Sequence, residues 1–300
     1  MSTPPVIAAV DGSDDSLRAL EWAVEGARRR GAPLRVVHAR QYAAWAQPDV
    51  LVAGPPDPET DEVLDQVRTL LTGRTDPPAV QYVVTEGAPG AVLPELGADA
   101  ALLVLGSRGR GGFTGLLLGS NGMAAARDAD CPVVVVPRAD REAHGDGPAE
   151  PGPRVVVGVN VDSPDEATLA FAAAEATLRD ARLDVVAAYA WPVQTWAAPG
   201  ELVPPALDED AVANETRTLA EGFLAPHRER HPDLRAGVRA VPGDAAGNLV
   251  AASRGADLVV VGRHRRRLLA PARMIGSVTH AVLLHAACPI AVVPPPPPES

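Results

Sequence analysis

Gly106, Gly109, Gly119 and Ser120 fall in the stretch GSRGRGGFTGLLLGSNG, residues 106–122, where seven of seventeen residues are glycine and none is acidic. Glycine is costly to order, so this density asks for a local reason, such as close approach of something to the main chain. An apolar run precedes the stretch and an alanine-rich segment follows it, which sets it between a strand and a helix. A helix amino terminus presents free N–H groups and the positive end of a dipole, a combination suited to phosphate. In that setting Gly106 and Gly109 would let main chain press against a sugar and turn sharply. Gly119 would let the helix start approach a polyphosphate, and Ser120 would cap the helix or donate its hydroxyl. Arg108 and Arg110 add positive charge nearby. The alternative is a glycine loop without a ligand. The sequence lacks the G-x-x-x-x-G-K-[ST] run of P-loop NTPases, the G-x-G-x-x-G dinucleotide loop after its first strand, and the G-x-S-x-G nucleophile elbow.

The elements that must position such a loop follow from hydrophobic patterning. In the first half, short apolar runs at 6–10, 34–39, 80–85, 101–105 and 132–136 alternate with helical patterns at 16–29, 59–71, 91–96 and 121–129. The runs have no polar alternate, as expected of strands covered on both faces. Strand–helix alternation of this kind predicts an α/β fold with a parallel, doubly wound sheet. The second half repeats the pattern with strands at 155–160, 183–188, 235–241, 258–261 and 290–293.

The halves also repeat in sequence. CPVVVVP at Cys131 returns as CPIAVVP at Cys288, Gly119-Ser120 returns as Gly276-Ser277, and VIAAVDGSDDSLRAL matches VVGVNVDSPDEATLA. Two tandem domains are therefore expected, at 1–138 and 154–294. A polar linker rich in Pro and Gly at 139–153 joins them, and an extended proline-rich tail at 295–300 follows. Apolar residues make up 46% of the chain and aromatic ones 3%, so the cores must be built from Val, Leu, Ile and Ala. A formal net charge of −11 disfavours a general nucleic-acid or membrane-surface binder. No run is long and apolar enough for a spanning helix, the start does not read as a signal peptide, and a cytoplasmic protein is the default. Cys131 and Cys288, each directly before a proline, are expected to pack as small hydrophobes and not to bridge.

The spacing Gly106-x2-Gly109-x9-Gly119-Ser120 resembles, without a gap, the ATP-binding pattern of universal stress proteins. AVDGSDDS at residues 9–16, VVHA at 36–39 and CPVVVVP at 131–137 are similar to that family too, and the resemblance spans nearly the whole chain. It implies two five-stranded Rossmann-like sheets of the adenine nucleotide alpha hydrolase type, packed about a pseudo-twofold axis, with a further homodimer. It implies ATP as ligand, with Mg2+ or Mn2+ arriving on the triphosphate rather than in a protein cage. By residue, it puts Asp11 on the adenosine, with Gly12 and Ser13 in the same turn, and the backbone of Ala39 beside the adenine. Gly106, Arg108 and Gly109 would flank ribose and phosphates, while Gly119, Ser120 and Asn121 would hold the phosphates. Asp11 has the equal alternative of capping the following helix with Ser13, and His38 is read as a core histidine. Proline-rich segments at 46–59 and 196–209 are read as mobile excursions rather than covers.

The second half departs from the pattern. Arg265 stands where the second glycine is needed, the spacing to Gly276 is one residue longer, Asn160 replaces Asp11 and Val161 replaces Gly12. No ATP is therefore expected there in the family manner. Its basic run at 263–267 is read as structural, with altered ligand binding or nucleic acid as alternatives. The expected function is nucleotide-dependent stress response through occupancy of the first domain. The alternatives are a slow nucleotide hydrolase of related fold, marked by turnover, and a nucleotide-independent scaffold, marked by absence of bound adenine.

Overall fold

The computed structural model describes residues 3–41, 61–109, 118–138, 152–190, 208–263 and 274–296. The centre of the glycine loop with Arg110, most of the linker, most of both proline-rich segments, His264–Arg267 and the end of the tail lie outside these residues. The chain divides into two compact units, one built on its first five strands and one on its last five.

The first unit runs β1 (Val6–Ala9), α1 (Asp14–Arg30), β2 (Leu34–Arg40), α2 (Glu62–Thr72), β3 (Val80–Glu86), α3 (Pro89–Leu96), β4 (Leu102–Gly106), α4 (Ser120–Asp128) and β5 (Val133–Val136). Its strands lie in the order β3-β2-β1-β4-β5, parallel where paired. Consecutive side chains of a strand point to opposite faces. All four residues of β1 and all four of β5 are buried, so helices cover both sides of the sheet. Helix α1 packs on β1, β4 and β5, while α3 and α4 pack together. Residues Val6 and Ile7 of β1 register with Leu34 and Arg35 of β2 on one side and with Leu102 and Leu103 of β4 on the other.

Local sequence explains where α1 starts and stops. Ser13 caps it, accepting the Ser16 N–H at 3.3 Å, and Asp14 and Asp15 complement the dipole of its first turn. Arg28, Arg29 and Arg30 fill the last turn, and Gly31 ends the helix at φ 58°, the left-handed conformation glycine adopts without strain.

The second unit repeats the plan with β6 (Arg154–Val159), α5 (Glu166–Leu178), β7 (Arg182–Tyr189), α6 (Glu209–Arg230), β8 (Ala236–Pro242), α7 (Ala245–Ser253), β9 (Leu258–Gly262), α8 (Ser277–His285) and β10 (Ile290–Val293). Its sheet has the order β10-β9-β6-β7-β8, again parallel. Cys131 and Cys288 are both buried and unbridged. Burial pushes the Cys288 thiol up to about 12, with the Asp257 carboxylate adding to the shift. Among the described residues no helix is long and apolar enough to cross a membrane.

Candidate functional site

In each unit the strand order reverses beside the first strand. In the first unit the reversal lies between β1 and β4, the place where ligands sit in open α/β sheets, beyond the carboxyl ends of the strands. The chain leaves β1 through Val10 and turns at Asp11 and Gly12, the latter at φ 79°, where a side chain would be strained. Both the N–H and the Oγ of Ser13 donate to Asp11 Oδ1, at 3.0 and 2.6 Å. The two readings of Asp11 therefore meet in one turn. Its Oδ1 supports the residue that caps α1, and the residue also lines a cavity.

The other wall begins where β4 ends. A Cβ on Gly106 would come within 2.6 Å of the backbone of Asp15. The packing thus gives this glycine a reason that was not expected from sequence, the close approach of α1, and Gly106 also lines the cavity. A Cβ on Gly109 would collide with Asp11 Oδ2. Gly119 is different. Its φ of −76° suits any residue, and the nearest atoms to a Cβ there, Ser107 O and Arg108 Cα, lie at 3.6 and 3.7 Å, ordinary contact distances. Neither conformation nor the described neighbours require glycine at this position.

Gly119 is the N-cap of α4, so Ser120 is the first helical residue; of the two roles expected from sequence it does not take the cap, which leaves donation of its hydroxyl. The N-cap makes no side-chain hydrogen bond to the opening N–H groups of α4, and no acid occupies its first turn. By contrast α1, α2, α5, α6 and α7 start on Ser or Asp side chains that accept a backbone N–H. Helix α4 thus presents its positive end toward the cleft without a counter-charge of its own.

These walls enclose a cavity of about 480 Å³, within the range of small-molecule sites. Of the residues expected from sequence, Asp11, Ala39, Gly106, Arg108, Gly109, Gly119, Ser120 and Asn121 line it, whereas Gly12 and Ser13 form the turn behind. Sequence reasoning missed Ala9, Val10, Ser16, Val37, Pro89, Leu93, Leu105, Ser107 and Gly122. Most of these are apolar and sit on strand ends or α3, where they carry no motif signal. Ser107 is the exception: it lies inside the glycine spacing, and its carbonyl accepts the Gly119 N–H at 2.7 Å.

One flank of the site is fixed by a buried carboxylate. Asp61 caps α2 by accepting the Leu64 N–H at 2.9 Å, and its Oδ2 lies 2.7 Å from His38 Nδ1 and 2.8 Å from Arg40 Nε. Burial pushes the Asp61 carboxyl up, but the Leu64 N–H, His38 and Arg40 outweigh it and hold the group below the ordinary carboxylate value. His38 and Arg40 flank Ala39 on β2, so this cluster ties α2 to the strand bearing a cavity residue.

The corresponding places in the second unit are packed by its own side chains. Gly158 stands where Ala9 stands, and a Cβ on it would come within 2.8 Å of Leu249 Cδ1, a side chain 2% exposed. A Cβ on Gly262 would meet Asp165 Oδ2 at 2.5 Å and Thr168 Oγ1 at 2.7 Å. Thr279, in the first turn of α8, donates its hydroxyl to Gly262 O at 2.7 Å. Asn160 Oδ1 accepts the Asp162 N–H at 3.1 Å, closing its own turn. Arg263 is buried, and Arg265 lies outside the described residues.

A five-stranded parallel sheet occurring twice in one chain, with a cleft at the switch point of the first, defines a tandem doubly wound α/β protein. The profile of the Universal stress protein family matches residues 3–137 and again 153–294, and the chain belongs to that family as a pair of tandem domains. Universal stress protein Rv2005c of Mycobacterium tuberculosis is 33% identical over 298 residues, with 96% of both chains covered. Universal stress protein Rv2623 of the same organism is 30% identical over 300 residues, covering 96% of this chain and 95% of its own. The fold is similar to that of a crystal structure of a universal stress protein from Archaeoglobus fulgidus, with TM-score 0.61, 14% identity, and 99% and 98% of the two chains covered.

Proposed function

We propose that the first unit binds an adenine nucleotide, ATP, and that the protein acts in the stress response through occupancy of this site. The observation that carries the reading is Gly119: a glycine that the described packing does not require, at the uncapped start of α4, facing a cavity of about 480 Å³. A side chain there would stand at the helix start beside Ser107 and Arg108, which line the cavity, where it would compete with a phosphate for space. Asp11 and Ala39, at the carboxyl ends of β1 and β2, would take the nucleoside, and Arg108, Ser120 and Asn121 would take the phosphates. A divalent metal, Mg2+ or Mn2+, would arrive on the triphosphate. Among the described residues no group of three or more His, Cys, Asp or Glu side chains is placed to hold one. We also infer that the second unit takes no nucleotide in this manner, because Leu249, Asp165 and Thr279 press on its strand ends.

Calorimetry on the full chain tests the reading. Wild-type protein is expected to bind ATP, and Gly119→Val to bind none while melting at the wild-type temperature. Unchanged affinity in Gly119→Val would overturn it.

A further inference from the structure

Asp15 does not line the cavity. It sits behind the wall, in the first turn of α1, with its side chain 12% exposed. We propose that Asp15 is a positioning residue for the phosphate end of the site, acting through Ser107 on Gly119. This rests on the reading of the first unit as an adenine-nucleotide site.

The connection consists of five hydrogen bonds. Ser107 is 1% exposed and has all its polar groups engaged. Its N–H donates to Val136 O at 2.9 Å, its carbonyl accepts the Gly119 N–H at 2.7 Å, and its Oγ donates to Asp15 Oδ2 at 3.1 Å. The other carboxylate oxygen of Asp15 accepts from Arg18 Nη2 at 2.9 Å, and the same nitrogen reaches Pro137 O at 3.2 Å. Gly106 makes this possible, since only a residue without Cβ lets the backbone of Asp15 approach the strand end so closely. Through Ser107, the cap of α4 is thereby fixed to α1 and β5 at once.

A carboxylate suits the task because each oxygen accepts from a different partner, and hydrogen bonds to a charged acceptor are the stronger kind. Holding Gly119 fixes the direction in which the first free N–H groups of α4 point. A polyphosphate would depend on that direction, whereas a nucleoside held at the ends of β1 and β2 would not. The second unit lacks the serine of this connection: Arg263 follows Gly262 where Ser107 follows Gly106, while the strand end is faced by Asp165 and Thr168 at the start of α5. The acid–serine pair occurs in the unit with the intact glycine spacing, and its serine is replaced by arginine in the other.

The test uses full-length protein, with ATP and adenosine titrated in parallel. Asp15→Ala is expected to weaken ATP binding by about tenfold, the scale of one lost hydrogen bond to a charged group, and to leave adenosine binding unchanged. Ser107→Ala should act alike, and the double variant no worse than either single one. Asp15→Asn retains an acceptor for Ser107 and should restore most of the ATP preference, which guards against a folding defect in Asp15→Ala. Hydrogen exchange without nucleotide gives a second readout: the Gly119 amide should exchange faster in Asp15→Ala, with the amides of β1 and β4 unaffected. Equal loss of ATP and adenosine, or an unchanged Gly119 amide, would overturn the assignment. If the wild type binds neither compound, the nucleotide reading falls and the role of Asp15 with it. If the wild type binds and Asp15→Ala is indistinguishable, the role of Asp15 falls by itself.

Discussion

Three glycines of one motif do different physical work, and substitution should separate them. Gly106→Ala drives a methyl to 2.6 Å from the Asp15 backbone, which cannot move without shifting α1. The expected cost is about 1–3 kcal/mol of stability, read as a lower melting temperature. Gly109→Ala presses on the Asp11 carboxylate, a short side chain held by Ser13, so it should weaken ligand binding with a smaller loss of stability. Gly119→Val meets nothing closer than ordinary contact at its Cβ and should affect ligand alone. Melting curves and titrations on the three variants would order them; equal melting temperatures for Gly106→Ala and Gly119→Val would contradict the assignment of Gly106 to packing. At the same scale, the buried thiols should resist alkylation in native protein at pH 8. Cys288 has its pKa pushed up to about 12 and stays protonated there.

Helix α2 depends on a carboxylate that serves as its cap and as the partner of His38 and Arg40 on β2. Asp61→Ala removes that cap and leaves Arg40 facing a buried gap, with an expected cost of about 3 kcal/mol in chemical denaturation. The Asp61 carboxyl is held below its ordinary value, so it contributes stability above that value and loses it as pH falls through the lowered one. Protection of the Leu64 amide, its exchange relative to the intrinsic rate at each pH, should therefore hold from neutral pH down to about pH 4 and fall below. Loss of protection between pH 5 and 7 would count against the assignment. Elements of this kind were largely legible in the sequence, because apolar runs mark strands buried on both faces: β10 has the expected ends, and most others lie within one or two residues. Helix starts were less so. Helix α1 begins two residues before the pattern, since Ser13 caps it, and α3 begins at Pro89, which suits a first turn but carries no apolar period. In the site, the glycine spacing located the cradle, but the reason for Gly106 could not be read, because what approaches it is backbone far away in sequence. The pairing of Ser107 with Asp15 was hidden likewise, as both are polar residues with common surface roles.

At the scale of the whole chain, duplication has produced two units with one plan and unequal clefts. Calorimetry on full-length protein should give about one ATP per chain, and Gly119→Val should remove all of it. Two equivalent sites would contradict the inference drawn from Leu249, Asp165 and Thr279. The melting temperature should be the same with and without reductant, since Cys131 and Cys288 are unbridged.

The packing of Gly158 against α7 couples two residues of the second unit. An alanine at 158 by itself would bring a methyl to 2.8 Å from Leu249 Cδ1, so the buried leucine would have to shift, whereas trimming Leu249 by itself leaves an unfilled hole in the core. The two changes together should cost less stability than the sum of the singles, so that what one position tolerates is conditional on the residue at the other.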